Sequence, residues 1–250
     1  MAKDMLDEML DEALDSIFDQ SFTGEMGETL TQMELGLSRL FGIRGKTLRN
    51  LYVSKADNGT TEIDLLFLTK KGLVVIESKN YSGWIFGNQA DDYWTASLPN
   101  GQKNRFYNPI KQNAGHIRWL SDYLKEDIPM ISVVVFSERC TLKKVTVTER
   151  RTAVVKRDEL YGVLREIWRK FPDALDDEKV EALYNRLQPL TVVGESAKLA
   201  HTEAVQKNRQ STCPKCGGQL VLRTARKGEN AGKQFYGCGN YPRCRYIRNL

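Results

Sequence analysis

Residues 60–79 read TTEIDLLFLTKKGLVVIESK and carry the most informative pattern in the sequence. Two apolar runs within them, Thr61–Leu68 and Gly72–Ser78, predict β-strands, because β-branched and large apolar residues favour an extended backbone. Another strand is predicted just before them, over Thr47–Ser54, and turn residues at 56–59 separate it from the next strand. Together the three segments predict a meander of short strands.

Charged side chains interrupt the apolar pattern of this meander. Asp64 lies inside the second strand, and Glu77 and Lys79 lie at the end of the third. Side chains two positions apart on a strand share a face, so Glu77 and Lys79 point the same way, and hairpin pairing brings Asp64 beside them. Two carboxylates suit a Mg²⁺ ion that also contacts a phosphate, and an ammonium group stabilises charge on phosphate oxygens. The cluster favours phosphodiester hydrolysis; the alternative is a solvated face with ordinary cross-strand ion pairs.

The rest of the sequence predicts a layered domain. Apolar spacings of three and four, with helix start signals, predict helices over residues 4–19, 25–41, 108–124, 158–170 and 176–188. Apolar β-branched runs predict strands over residues 131–136 and 152–155. This order indicates an α/β (α+β) fold, a mixed sheet flanked by helices. The Gly-rich region after residue 80 contains Trp84, Tyr93 and Trp94, which are expected to pack in the core, with base stacking as the alternative.

The composition indicates a soluble globular protein. Of the 250 residues, 41% are hydrophobic and 28% are charged, and the mean hydropathy is −0.47. Disordered chains contain fewer apolar residues, and no apolar run approaches the ~20 residues that a transmembrane helix requires. The acidic start of the chain does not resemble a signal peptide, so no membrane contact and a cytoplasmic location are expected.

The net charge of +5 conceals an uneven distribution. Residues 1–20 contain seven acidic residues and one lysine, and their apolar spacing predicts an acidic amphipathic helix. The apolar face of that helix, at residues 4–19, is expected to pack on the rest of the chain, on a second copy of it or on a protein partner. Residues 211–250 contain eight basic residues and one acidic residue, which favours contact with nucleic acid.

Four of the five cysteines lie in the basic segment: Cys213, Cys216, Cys238 and Cys244. Clustered cysteines in a cytosolic chain indicate metal rather than disulfides, and four thiolates suit tetrahedral Zn²⁺ in a closed structural site. A module of about 40 residues has too little core to fold alone, so zinc supplies its folding energy. The fifth, Cys140, is predicted to be a buried core residue.

The strand motifs and their surroundings resemble the nuclease-related domain (NERD) family of the PD-(D/E)xK phosphodiesterase superfamily. The resemblance covers about residues 24–124 and rests on GEMGE at 24–28, EID at 62–64, ESKN at 77–80, the glycines at 83 and 87, and NPIKQ at 108–112. It implies a restriction-endonuclease-like fold. Ile63 stands where the superfamily name has proline, and His116 stands where several relatives have tyrosine. His116 is expected to be a surface histidine; the alternative is that it faces the site, because it shares one helical stripe with Gln112.

This resemblance also implies roles for individual residues. Asp64 and Glu77 would bind a catalytic Mg²⁺ or Mn²⁺ ion, and Lys79 would be the catalytic lysine. Two further side chains would lie at the site: Gln112 from the helix at 108–124, and Glu28 or, as the alternative, Glu25 from the helix at 25–41.

The cysteine-rich segment closely resembles the four-cysteine zinc ribbons at the carboxyl end of type I bacterial topoisomerases. The resemblance rests on CPKCGGQL at 213–220 and GCGNYPRCRY at 237–246, and it implies binding of single-stranded DNA. Basic side chains offer phosphate contacts and aromatic rings offer stacking surfaces. The candidates are Arg223, Arg226, Lys227, Lys233, Phe235, Tyr236, Tyr241, Arg243, Arg245 and Tyr246. A ribbon that binds another protein is the alternative.

The sequence therefore predicts a metal-dependent nuclease that hydrolyses DNA and carries a DNA-binding zinc-ribbon tail. The predicted parts are an acidic helix at 1–20, a nuclease-related domain at 21–190, a linker at 191–211 and the ribbon at 212–250. The alternative is a catalytically inactive adaptor that binds DNA and recruits a partner protein.

Overall fold

The computed structural model describes residues 42–56, 59–192, 211, 213, 218–225 and 231–249. The helices predicted at 4–19 and 25–41 lie outside the described residues, as does nearly all of the predicted linker. In chain order, the strands and helices are β1 (Gly45–Ser54), β2 (Thr60–Thr69), β3 (Gly72–Lys79), β4 (Gly83–Asn88), β5 (Tyr93–Ser97), β6 (Lys103–Tyr107), α1 (Pro109–Leu124), β7 (Met130–Phe136), β8 (Cys140–Thr146), β9 (Thr152–Lys156), α2 (Leu160–Lys170), α3 (Asp177–Leu187), β10 (Leu220–Thr224), β11 (Gln234–Cys238) and β12 (Ile247–Asn249).

The central layer is a five-stranded mixed sheet in the order β1-β2-β3-β7-β9. The first three strands form the predicted antiparallel meander, and β3, β7 and β9 run parallel to one another. Helix α2 packs on one face of this sheet, and α1 and α3 pack on the other. The predicted mixed sheet flanked by helices is confirmed.

The position of β3 inside this sheet explains its sequence. Helices cover both faces, so both faces of the strand must be apolar, and every residue from Gly72 to Glu77 is buried. Burial decreases at Ser78 and Lys79, where the strand reaches the edge of the core. Glu77 is therefore a carboxylate at the end of an apolar strand, with a lysine two positions beyond it.

The structure also contains a four-stranded sheet that the sequence pattern does not predict. Its order is β6-β5-β4-β8, and its inner face packs against the end of β7 around the buried Trp94 and Phe136. Burial of Trp94 and of Cys140 is confirmed. The expected burial of Trp84 is wrong, because this side chain lies on the outer face of β4 and is exposed.

Asn108 joins this second sheet to helix α1. Its side-chain oxygen accepts a hydrogen bond from the backbone N–H of Ile110, and Pro109 occupies the tolerated first position of the helix. Its amide nitrogen donates to the backbone carbonyls of Asn88, Gln89 and Asp91 in the turn after β4. The start of α1 is thereby fixed, and with it the direction in which the first turns of α1 point their side chains.

The remaining strands, β10, β11 and β12, form a small antiparallel sheet, and β11 ends at Cys238. None of the helices that the structure describes is long and apolar enough to span a bilayer.

Candidate active site and zinc-binding module

Asp64 and Glu77 come together where the pairing of β2 with β3 ends. Leu65 on β2 pairs with Ile76 on β3. Because the two strands are antiparallel, Asp64, the residue before Leu65, lies beside Glu77, the residue after Ile76. The backbone N–H of Ser78 donates to Oδ2 of Asp64 at 2.7 Å, which holds this carboxylate against the neighbouring strand. The two acidic side chains thus share one end of the central sheet.

Glu77 is the centre of a buried hydrogen-bond network. Its Oε1 accepts from Nζ of Lys79 at 2.6 Å and from Nε2 of Gln112 at 2.6 Å. The same ammonium group donates to Oε1 of Gln112 at 2.9 Å, so the three side chains close a triangle. The structure therefore brings together four of the five residues predicted for the catalytic site. The fifth, Glu28, lies outside the described residues, as does Glu25.

His116 also belongs to this network, so its expected place on the surface is wrong. The ring is buried, its Nδ1 lies 2.6 Å from Oγ1 of Thr61, and its Nε2 lies 3.0 Å from Oε2 of Glu77. His116 follows Gln112 by one helical turn on α1, and residues four apart share a helix face. That spacing is the sequence signal for its position, whereas the contact with Thr61 on β2 depends on the tertiary fold.

Burial and charge give the two carboxyl groups different acidities. Burial, together with the charge of Glu77, raises the pKa of Asp64 to about 7. Burial also acts to raise the pKa of Glu77, but the hydrogen bond from His116 and the positive charge of Lys79 outweigh it and hold this pKa below its ordinary value. Around neutral pH, Glu77 is the ionised carboxylate, and Asp64 gains or loses its proton.

The donor set fits a hard divalent cation. Oε1 of Glu77 accepts two hydrogen bonds and Oε2 pairs with Nε2 of His116, which leaves one of the about four acceptor sites of this carboxylate for another partner. Asp64 supplies the second carboxylate. No third histidine, cysteine or acidic residue of the described chain completes a cluster with these two. Mg²⁺ tolerates such a site, because it keeps several waters and needs one or two carboxylates from the protein.

The cysteines of the small sheet form a second, separate donor cluster. The sulfurs of Cys213, Cys238 and Cys244 are buried and lie within 4.8 Å of one another, and those of Cys213 and Cys244 are 3.7 Å apart. Sulfurs bound at about 2.3 Å to a tetrahedral Zn²⁺ ion are roughly 3.8 Å apart, so the spacing fits this metal. The fourth predicted ligand, Cys216, lies outside the described residues. The cluster supports structural Zn²⁺.

The predicted DNA-contacting residues of this module have unequal exposure. Five are exposed: Arg223, Lys233, Tyr241, Arg243 and Arg245. Phe235 is half-buried, and the rings of Tyr236 and Tyr246 pack partly against the cysteines. Arg226 and Lys227 lie outside the described residues. Tyr241, which has the guanidinium of Arg223 at 5.8 Å from its ring centre, is the most accessible of the four predicted stacking surfaces.

Comparison with known proteins also distinguishes a central region from a carboxyl-terminal zinc module. The family model described as nuclease-related domain (NERD) matches residues 23–137, and the one described as topoisomerase DNA-binding C4 zinc finger matches residues 210–250. Both motif resemblances in the sequence are thereby confirmed.

The individual relatives include an uncharacterized protein and DNA topoisomerases. An uncharacterized protein of Bacillus anthracis is 28% identical over 181 residues, which are 72% of this chain and 82% of that protein. DNA topoisomerase 1 of Campylobacter jejuni is 26% identical over 142 residues, 49% of this chain and 18% of the enzyme. DNA topoisomerase 1 of Helicobacter pylori strain J99 is 43% identical over 47 residues, 19% of this chain and 6% of the enzyme. The chain thus spans a small fraction of these topoisomerases, and it contains a nuclease-related (NERD) domain followed by a topoisomerase-type C4 zinc ribbon.

Proposed function

We propose that this protein is a Mg²⁺-dependent nuclease that hydrolyses phosphodiester bonds in DNA. The observation that carries the proposal is the arrangement around Glu77: an ionised, buried carboxylate next to Asp64 and within 2.6 Å of the Lys79 ammonium. A structural ion pair between Glu77 and Lys79 does not need the second carboxylate. Mn²⁺ has similar ligand preferences and is expected to substitute for Mg²⁺.

Each side chain of the site has a distinct task in this proposal. Asp64 and Glu77 hold the metal ion, which when bound would offset phosphate charge and lower the pKa of a water molecule. Lys79 has three N–H donors, two of them used by Glu77 and Gln112, and directs its charge at the oxygens of the phosphate. Gln112 fixes both Lys79 and Glu77. His116 orients Glu77 through its other carboxylate oxygen, Oε2.

Cleavage of labelled circular and linear DNA tests this proposal. With Mg²⁺ or Mn²⁺ the full chain is expected to cut DNA, and Asp64→Ala or Lys79→Ala to abolish cutting while DNA binding is retained. The control is Lys170→Ala, which removes an exposed lysine that pairs with Glu166 on α2. If the wild-type protein leaves single-stranded, nicked and duplex DNA intact at all metal concentrations, the enzyme proposal is wrong, and an inactive DNA-binding adaptor is the remaining function.

We also propose a DNA preference for the zinc ribbon. We expect the ribbon to prefer DNA with single-stranded character, because exposed Tyr241 can stack on an unpaired base and the arginines can contact phosphates.

A cytoplasmic location fits a thiolate site, which requires a reducing compartment. Residues 4–19 are proposed to pack on this chain, on a second copy or on a partner protein.

A further inference from the structure

The outer face of the four-stranded sheet exposes aromatic rings. Trp84, Phe86 and Tyr107 are 53%, 36% and 48% exposed. Within residues 42–56 and 59–192, these three and Val192 are the exposed large hydrophobic side chains. The solvent face of an antiparallel sheet is ordinarily polar, so a concentration of rings on one such face indicates a binding surface.

Strand pairing arranges the side chains of this face in two rows across the sheet. Because residues that pair directly share a face, each row can be followed from β6 to β8. The first row is Lys103, Ser97, Trp84 and Thr141, and the second is Arg105, Thr95, Phe86 and Lys144. Tyr93 and Tyr107 also pair, next to the second row. Four strands about 4.8 Å apart make a platform roughly 14 Å wide.

Cations lie next to the rings of this platform. Nζ of Lys143 is 5.3 Å from the ring centre of Trp84, and the guanidinium of Arg105 is 5.2 Å from that of Tyr93. A groove of about 370 Å³ runs along Phe86, Tyr93 and Lys144. In both pairs, a flat aromatic ring therefore lies beside a positive charge.

The charge balance of the platform favours an anionic partner. Lys103, Arg105, Lys143 and Lys144 lie on it, and Asp91 at the edge of the groove is the acidic side chain among the groove's lining residues. A single nucleic-acid strand offers a π-face for each ring and a phosphate for each cation, whereas a duplex hides its base faces inside the stack.

We propose that this outer face, formed by Trp84, Phe86, Tyr93 and Tyr107 with the adjacent lysines and Arg105, binds single-stranded DNA. β4 begins four positions after Lys79, so the start of this strand lies close to the candidate catalytic end of β3. The inference goes beyond cleavage, because it concerns binding and is tested without Mg²⁺. It also adds a second DNA-contacting surface to the one proposed for the zinc ribbon.

Tryptophan fluorescence of the full chain, titrated with a dT oligonucleotide, separates the two surfaces. The four tryptophans are Trp84, Trp94, Trp119 and Trp168, so the ribbon contains none. Trp84 is exposed, Trp94 is buried and the other two are half-buried. Base stacking on Trp84 is expected to quench the fluorescence of the wild-type protein.

Two substitutions at Trp84 then distinguish stacking from a structural role. Trp84→Phe keeps a flat ring and is expected to bind the oligonucleotide normally while the quenching disappears. Trp84→Ala is expected to lose the quenching and about fivefold or more in affinity. Lys103→Ala, Arg105→Ala and Lys144→Ala together are expected to reduce the slope of log K against log salt by about 2, whereas Lys170→Ala leaves it unchanged.

Three results would contradict the proposed binding of single-stranded DNA to this face. Absence of quenching in the wild-type protein, or equal affinity of Trp84→Ala and the wild-type protein, would overturn the proposal. Quenching by a peptide of residues 1–20 but not by the oligonucleotide would also overturn it, because the platform would then hold the acidic end of the chain. Circular dichroism of each variant confirms that it is folded.

Discussion

Burial of the Asp64 carboxyl group lowers the free energy of unfolding by an amount that depends on pH. Its ordinary pKa of 3.8 is raised by burial and by Glu77 to about 7 in the folded protein. Between these two pH values the unfolded chain releases a proton that the folded chain keeps, so the free energy of unfolding falls as pH rises through this window. Above pH 7 the cost is complete, because the folded protein must then hold two buried carboxylates.

Asp64→Asn removes this cost and is expected to stabilise the metal-free protein. The Tm gain over the wild-type protein should be larger at pH 8 than at pH 5, by about 2–4 °C for each kcal/mol relieved. Thermal unfolding monitored by circular dichroism measures it, and Asp122→Asn, at an exposed site on α1, is the control. Equal gains at both pH values would mean that Asp64 ionisation does not affect stability.

A metal ion provides an independent check on the same residue. Mg²⁺ that binds the folded state is expected to raise the Tm of the wild-type protein at pH 8, and to have little effect on Asp64→Asn, which has lost one of the two carboxylates. This readout does not require catalysis.

The sequence predicts this site incompletely for a physical reason. The strand period places Glu77 and Lys79 on one face, and the hairpin brings Asp64 to them, so local spacing is sufficient for these three. His116 is different: its burial depends on how α1 packs on β2 and β3, and no local pattern contains the contact with Thr61. The spacing of His116 to Gln112 on α1 indicates a place at the site, but the burial of the His116 ring could not be inferred from that spacing.

Among the structural elements, β4 approaches the core very closely at Gly87. Gly87 lies against the Trp94 indole, and a Cβ atom added at residue 87 would overlap the ring. Trp94 itself is buried and donates from Nε1 to the backbone carbonyl of Asn88 at 3.0 Å. The glycine therefore allows the large ring to lie flat against the strand.

Gly87→Ala is expected to lower the free energy of unfolding by about 1–3 kcal/mol, the usual cost of overpacking a filled core. The matched control is Gly162→Ala on α2, where an added Cβ meets no atom within 4 Å and should stabilise the helix by about 0.5–1 kcal/mol. Urea unfolding measures both. If the two variants change stability in the same direction, the contact with Trp94 does not restrict residue 87.

The same elements explain why the second sheet was not predicted. β4, β5 and β6 have only 5 or 6 residues, and the two glycines of β4, Gly83 and Gly87, mimic loop composition. On β4, Trp84 and Phe86 point outward on either side of the inward Ile85, so the alternation of apolar and polar residues that reveals a half-buried strand is missing. The strands of the central sheet, whose apolar runs are continuous or β-branched, were predicted within two residues at each strand end.

At the scale of the whole molecule, the proposed function assigns hydrolysis to the central domain and DNA capture to the zinc ribbon. The cysteine cluster of the ribbon contains no residue of the central domain, and the core clusters of the central domain contain none of the ribbon's described residues. Loss of zinc is therefore expected to unfold the ribbon and to leave the site around Glu77 intact.

Cys238→Ser combined with Cys244→Ser in the full chain tests this division. The variant should lose its zinc and, in the proposed cleavage reaction, raise KM for DNA about tenfold or more while kcat is unchanged, because tethered capture acts through effective concentration and not through the chemical step. Cys140→Ala, which removes the cysteine of the central domain, should retain both zinc and KM. Metal analysis and steady-state cleavage provide the two measurements. A fall in kcat at constant KM would place the ribbon in the chemical step instead, and the separation of capture from hydrolysis would be wrong.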